Sequence, residues 1–143
     1  MLNGQRFNFI EKIDSSGRSV IMPYLPLRLT NGSKSIEVMA LLDTGASVNV
    51  LPYDMGLHLG AVWEEQTVII PLSGNLSRSE AKGLVLDGTV GSFSSTLFAF
   101  AWTKSNDSPV ILGHMNFFNE FNVCFYRHEL AFEVCPRLKS LGS

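Results

Sequence analysis

Basic residues, cysteine and long apolar runs are all scarce in this sequence, and each shortage closes a class of function. Lysine and arginine total 11 against 13 aspartates and glutamates, a formal net charge of -2, which leaves no cationic excess to neutralise a phosphate backbone. Nucleic acid is therefore not an expected partner. No apolar stretch approaches the roughly 20 residues that span a bilayer, and Met1 to Glu11 has no long apolar stretch after Arg6 of the kind a secretory signal carries. A cytoplasmic location without membrane attachment is the expectation. In such a reducing compartment Cys124 and Cys135 are expected as free, partly buried thiols. They lack the paired spacing of a zinc site, and His58, His114 and His128 are scattered singly, so neither a metal nor a cofactor is expected.

What the chain does have is apolar content enough for a core: 143 residues at 45% hydrophobic, the size of one domain. Residues 1–19 are polar, carry Asp14-Ser15-Ser16-Gly17 and read as a flexible N-terminal arm. The ordered domain is expected over residues 20–136 and a tail over 137–143. Val20 to Leu29 is extended, because Pro23 and Pro26 exclude a helix interior; Thr30 to Ser33 supplies a turn, and Ser35 to Leu42 returns as the second arm of a hairpin. Val48 to Leu51 is a short strand stopped by Pro52, and Tyr53 to Leu59 a short helix closed by Gly60. Gln66 to Leu72 and Gly83 to Val90 read as the arms of a second hairpin with a mobile tip over Ser73 to Ser79. Phe93 to Trp102 is a further strand, Lys104 to Pro109 a plain surface loop, Val110 to Leu112 a short buried run and Gly113 to Phe121 a helix. Asn122 to Arg127 and Leu130 to Cys135 close the chain as a last hairpin. Many short strands with one or two short helices make a mainly β domain.

The chemistry concentrates at Asp43-Thr44-Gly45. Such a triplet occurs by chance in roughly one chain in twenty of this length at average residue usage, so its setting matters more than its letters. It follows the apolar strand end Met39 to Leu42 and precedes Ala46-Ser47 and the run ending Val50-Leu51-Pro52, which puts a carboxylate on a tight loop between two buried strands. Two carboxylates brought together in a partly desolvated place cannot both ionise cheaply, so they share a proton. The ionised one can then activate water while the protonated one donates to a carbonyl, hydrolysing a peptide bond without metal or covalent intermediate. A lone Asp43 cannot do this. The Thr44 hydroxyl can hydrogen-bond across paired loops, and Gly45 lets a substrate backbone approach.

Leu41-Leu42-Asp43-Thr44-Gly45-Ala46-Ser47, followed far along the chain by Val110-Ile111-Leu112-Gly113, resembles the retroviral-type aspartic peptidases, the retropepsins, in a cellular rather than viral form. The resemblance covers residues 20 to 134. It implies an acid-protease barrel active as a homodimer, in which Asp43 of each chain supplies half of a catalytic dyad, Thr44 interlocks the two loops and Gly45 and Ala46 support them. It also implies that the hairpin tip Ser73, Gly74 and Asn75 is a flap over an extended polypeptide substrate, although the same residues are ordinary turn chemistry. Val48, Ile70, Leu72, Ile111 and Leu112 are the candidates for apolar substrate pockets. Many viral members carry an acid after the triplet and an arginine after the apolar-apolar-Gly segment, ion-paired near the dimer contact; here Ser47 and His114 stand there. Losing both partners leaves no buried charge unpaired. The dimer contact is then expected to be built differently, through Phe125, Phe132 and Val134 of the C-terminal hairpin.

Plainer roles compete at several positions. His114 can titrate near the site or simply flank the short helix, Trp63 and Trp102 can line a groove or fill the core, and Phe117, Phe118 and Phe121 at helical spacing read as a core face. The function expected is an aspartic endopeptidase. The alternative is a non-catalytic module of the same fold that binds a peptide or a partner, since fold alone does not fix function.

Overall fold

Strands begin almost at once in the computed structural model, which describes residues 3–138. β1 (Gln5–Asn8) lies antiparallel to the last strand of the chain, with Phe7 opposite Phe132, and β2 (Ile10–Ile13) forms a hairpin with β3 (Ser19–Met22). The flexible arm read over residues 1–19 is corrected by these strands. Two interactions override the polar composition. The Phe7 ring stacks on Phe132 at 5.5 Å while Phe9 meets the same ring edge-on at 6.0 Å, so the segment has apolar area to cover. The Asp14 carboxylate then builds the turn, accepting from the Ser16 hydroxyl at 2.6 Å and from the Ser16 and Arg18 N–H groups at 2.9 Å each. These bonds, the Ser16 hydroxyl foremost, hold the Asp14 carboxyl below its ordinary range. At the other end the Arg137 N–H donates to Glu120 O at 2.9 Å, and the remainder of the tail expected over 137–143 lies, from residue 139, outside the described residues.

The barrel follows from alternation. β4 (Tyr24–Asn31) and β5 (Lys34–Leu42) pair from Tyr24 opposite Leu41 to Asn31 opposite Lys34, around a two-residue loop whose first residue, Gly32, takes a φ of +60°. Leu25, Leu27 and Leu29 of one strand and Val38, Ala40 and Leu42 of the other point inward and are buried, while Arg28 and Glu37 pair on the outside at 2.8 Å. β6 (Asn49–Leu51), β7 (Ala81–Val90), β8 (Thr96–Thr103) and β9 (Ile111–Leu112) complete a closed barrel in the order β4-β5-β9-β6-β8-β7. Phe98 and Phe100 fill it, and small residues make room for them: a Cβ on Gly88 would come within 2.6 Å of the Phe98 ring.

Two short helices plug the ends. α1 (Tyr53–His58) begins after Pro52 and stops at Gly60, whose φ is +75°. α2 (Phe117–Glu120) is one turn, shorter than the helix read over Gly113 to Phe121, because residues 113–115 are spent on extended hydrogen bonds described below. Its Phe117 is fully buried and stacks on Phe121 at 4.9 Å. β10 (Phe121–Tyr126) and β11 (Ala131–Pro136) form the last hairpin, joined by a turn in which Leu130 holds a left-handed φ of +51° and accepts the Phe9 N–H at 2.8 Å. That contact with the N-terminal segment explains a hairpin without the usual glycine.

Trp63 and Trp102 belong to the core. Trp102 is fully buried, stacks on Tyr53 at 5.7 Å and donates its indole N–H to the Tyr53 carbonyl at 3.0 Å. Gly56 of α1 lies against this indole with no space for a methyl group. Gly56→Ala should therefore destabilise the protein by about 1–3 kcal/mol through overpacking, read as a lower urea midpoint at unchanged slope.

Candidate active site

The loop carrying Asp43 is held from one side by a single later segment, residues 110–115. Before the loop, β5 runs parallel to β9, Leu41 beside Ile111 and Leu42 beside Leu112, with the Leu41 N–H bonded to Val110 O at 2.8 Å and the Asp43 N–H to Leu112 O at 3.0 Å. After the loop the direction of donation reverses: the His114 N–H donates to Ala46 O at 3.0 Å and the Met115 N–H to Ser47 O at 2.9 Å, and Met115 O accepts from Asn49 N–H at 2.9 Å. Gly113 is where the segment crosses from one arm to the other. A Cβ there would lie 2.6 Å from both Ala46 O and Val48 O, so only glycine lets the backbones meet. This is the physical tie between the two sequence signatures. Inside the loop the Ala46 N–H returns to Asp43 O at 3.1 Å, and the Gly45 N–H donates to Asp43 Oδ1 at 2.9 Å, fixing the carboxylate.

Asn49, unnoticed in the sequence, is the hub beneath the loop. Fully buried, it accepts the Gly113 N–H at 2.8 Å and donates to Ala99 O and Asn116 Oδ1 at 3.0 Å each. Asn116 extends the network by accepting the Ala99 N–H at 3.0 Å and donating to Leu97 O at 2.8 Å. The loop, the segment 110–115 and β8 are thus joined through one amide side chain. The only sequence signal was an amide in an otherwise apolar strand.

His114 does more than flank α2. Its Nε2 lies 2.7 Å from Thr44 O, and since a carbonyl only accepts, that nitrogen carries the proton; the ring also packs on Phe118 at 5.3 Å. At the position where the viral pattern has an arginine, His114 steadies the backbone of the Asp43 loop with an imidazole N–H donor. Thr44 itself is exposed, on the far side of the loop from the core.

Asp43 opens onto a cleft of 420 Å³. Gly45, Ala46, Val48 and Ile111 line its floor, and Leu72, Ser73, Gly74 and Asn75 line it from the segment that precedes β7. That segment is less regular than the hairpin arm read from sequence. Between Gln66 and Leu72 it has a single isolated bridge, Ile69 to Lys82, with Ile70 N–H to Ala81 O at 3.0 Å and Gly83 N–H to Val68 O at 2.8 Å, and its tip is a short 3-10 turn over Gly74–Leu76. Pro71 has no N–H for a ladder, which interrupts the strand. Of the pocket candidates, Ile70 lines a separate apolar hollow of 290 Å³ that shares Val48 with the cleft. Leu112 is corrected: it is fully buried in the barrel core and lines no cleft.

A second hollow, of 370 Å³, lies on the other side of the loop and is lined by Asp43 and Thr44 together with Leu42, Phe9, Phe125 and Arg127. Of the three residues expected to build a subunit contact, Phe125 is 39% exposed there, whereas Phe132 and Val134 are spent inside the protomer, both fully buried. Among the described residues no three His, Cys, Asp or Glu side chains gather as a metal site, and no helix is long and apolar enough to cross a membrane.

Because Asn49 bonds three partners at once and the Gly113 N–H among them is buried, Asn49→Ala should cost about 1–3 kcal/mol, leaving that N–H without its acceptor. Asn49→Asp should do no better, since a carboxylate cannot donate to Ala99 O. Chemical denaturation of both variants measures this, and a cost below about 0.5 kcal/mol would remove Asn49 from its role as hub.

No protein-family model matches the sequence, and no curated protein matches it. Solved structures do. A retropepsin-like aspartic protease from Rickettsia conorii superposes with a TM-score of 0.58 over 94% of this chain and 94% of its own, at 12% sequence identity. The retroviral protease-like domain of Ddi1 from Leishmania major does so with a TM-score of 0.56, at 17% identity, over 72% of this chain and 81% of its own. These superpositions and the closed, mainly β barrel show that the chain has a retropepsin-like fold.

Proposed function

We propose that this chain is an aspartic endopeptidase whose active site is completed by a second copy of itself. The observation that carries the reading is Asp43: a carboxylate with one oxygen fixed by the Gly45 N–H, standing between a cleft of 420 Å³ and a second hollow beyond Thr44. One protomer brings one such loop. A partner's loop seated at the second hollow would set its Asp43 beside the first, with Thr44 of each chain, exposed on that side, crossing to the other.

The two carboxylates would then share a proton. The ionised one takes a proton from water as its oxygen attacks the scissile carbonyl carbon, and the protonated one donates to the carbonyl oxygen. Collapse of the resulting gem-diol breaks the C–N bond: the nitrogen leaves with a proton from the dyad, one diol hydroxyl returns a proton to the dyad, and water has been added across the peptide bond. Ser73, Gly74 and Asn75 act in this reading as a flap that closes on the substrate and excludes water. The second protomer would supply the other half of the groove, with Val48, Leu72 and Ile111 of each chain meeting substrate side chains. A cytoplasmic, reducing setting suits Cys124 and Cys135, neither of which is in a disulfide.

The purified protein should cleave extended peptides at acidic pH, with activity per milligram rising with protein concentration as dimers form. Asp43→Asn should lose at least about 1,000-fold in kcat, as removal of an essential acid–base group does. Cleavage undiminished in Asp43→Asn would sink the reading. Peptide binding that survives in Asp43→Ala, with no cleavage by the wild type, would make the chain a binding module instead.

A further inference from the structure

The loop 104–109, plain in sequence, forms one wall of the cleft: Asp107, Ser108 and Pro109 all line it. It is braced rather than loose. The buried Thr103 accepts the Ser105 N–H on its hydroxyl at 3.1 Å, and the Ser105 hydroxyl in turn accepts the Asp107 N–H at 3.0 Å. On one flank Ser105 O accepts the Tyr53 N–H at 3.2 Å and Asn106 Oδ1 the Asp54 N–H at 2.9 Å; on the other the Lys104 N–H bonds to Glu80 O at 2.9 Å. A loop tied to α1 on one side and to the base of the flap segment on the other presents its side chains in a set place.

Asp107 and Asp43 are the charged residues lining the cleft, and among the described residues no lysine, arginine or histidine lines it with them. Lys104, the nearest cation in sequence, is turned away over the rings of Tyr53 and Trp63, at 5.5 and 5.0 Å. The same cleft is lined by Ser108 and by the apolar side chains of Pro109, Ile111 and Val50. An acid in a cleft with apolar side chains suits a ligand group that is aliphatic along its stem and cationic at its tip. An uncharged or acidic side chain there would leave Asp107 desolvated and unpaired, or repelled.

We propose that Asp107 is a specificity-determining residue that selects a lysine or arginine side chain of the substrate beside the scissile bond. The inference rests on reading the cleft as the peptide groove. Since each copy of the chain carries its own Asp107, the preference falls on both sides of the bond.

The test pairs a cleavage measurement with a binding measurement. Peptides carrying lysine, its uncharged isostere norleucine or glutamate at each position flanking the cut are compared by kcat/KM in the wild type, Asp107→Asn and Asp107→Lys. Asp87→Asn, on the outer face of β7, controls for the change in overall charge. Wild type and Asp87→Asn should favour lysine by roughly tenfold, the worth of a hydrogen bond to a charged group; the ratio should fall to about one in Asp107→Asn and turn toward glutamate in Asp107→Lys. The same peptides are titrated against Asp43→Asn protein with and without Asp107→Asn, which reads binding where no bond is cut. If the wild type cleaves nothing but lysine peptides bind in an Asp107-dependent way, the catalytic reading fails and this one stands. A ratio near one in wild type, a ratio that survives Asp107→Asn, or binding indifferent to Asp107 when cleavage is absent overturns it.

Discussion

The close seat of Gly113 on the carbonyls of Ala46 and Val48 is the contact on which the rest of the site depends. A tight loop between two short strands has few ways to satisfy its own backbone, because the strand ladders stop where the loop begins. Here residues 110–115 take up both ends, donating and accepting on either side of Gly113, and Asn49 completes the pairing from below. Among the described residues every buried side-chain nitrogen and oxygen has a partner. With that seat closed, one oxygen of the Asp43 carboxylate is set by the Gly45 N–H, and the group lines the cleft.

The fold was legible where physical chemistry acts locally. The alternation of Leu25, Leu27 and Leu29 against Pro26 and Arg28, the Gly32 turn and the stop at Pro52 and Gly60 specify strands and a helix within a few residues. The two motif segments could be tied together because glycine at 113 has a reason that only contact supplies. Misreadings arose where a distant partner decides. The polar start of the chain became strand because β11 offers it an edge and Phe132 a ring to cover. The helix read from Gly113 lost its first turn to hydrogen bonds with a loop some 70 residues earlier, as in the bond from His114 Nε2 to Thr44 O. Leu112 looked like a pocket wall beside Ile111, yet the period of two that aims Ile111 at the cleft sends Leu112 into the core.

The candidate site was legible in Asp43 and opaque in its supports. Asp43 announces itself by its neighbours in sequence. Asn49 does not, because an amide inside a strand says nothing of three partners drawn from residues 99, 113 and 116. Asp107 is hidden in another way: a loop of lysine, serine, asparagine, aspartate and proline has the composition of any surface turn, and only the bonds from Thr103 and Ser105 turn it toward the cleft.

The replacement of a charged pair by Ser47 and His114 then bears on the whole cleft. An acid and an arginine together add no net charge beneath the loop, so their absence leaves the field at the cleft to the groups that line it. The bond from His114 to Thr44 O keeps the loop in place in their stead. Asp43 and Asp107 face the cleft with no positive side chain of the described residues lining it. On the proposed reading two copies would bring two such sets of acids together, and a proton shared by the two Asp43 carboxylates would relieve only the innermost pair. The charge left on Asp107 would then be satisfied most cheaply by a cationic side chain of a bound peptide, the ligand that the acid on the wall suggests.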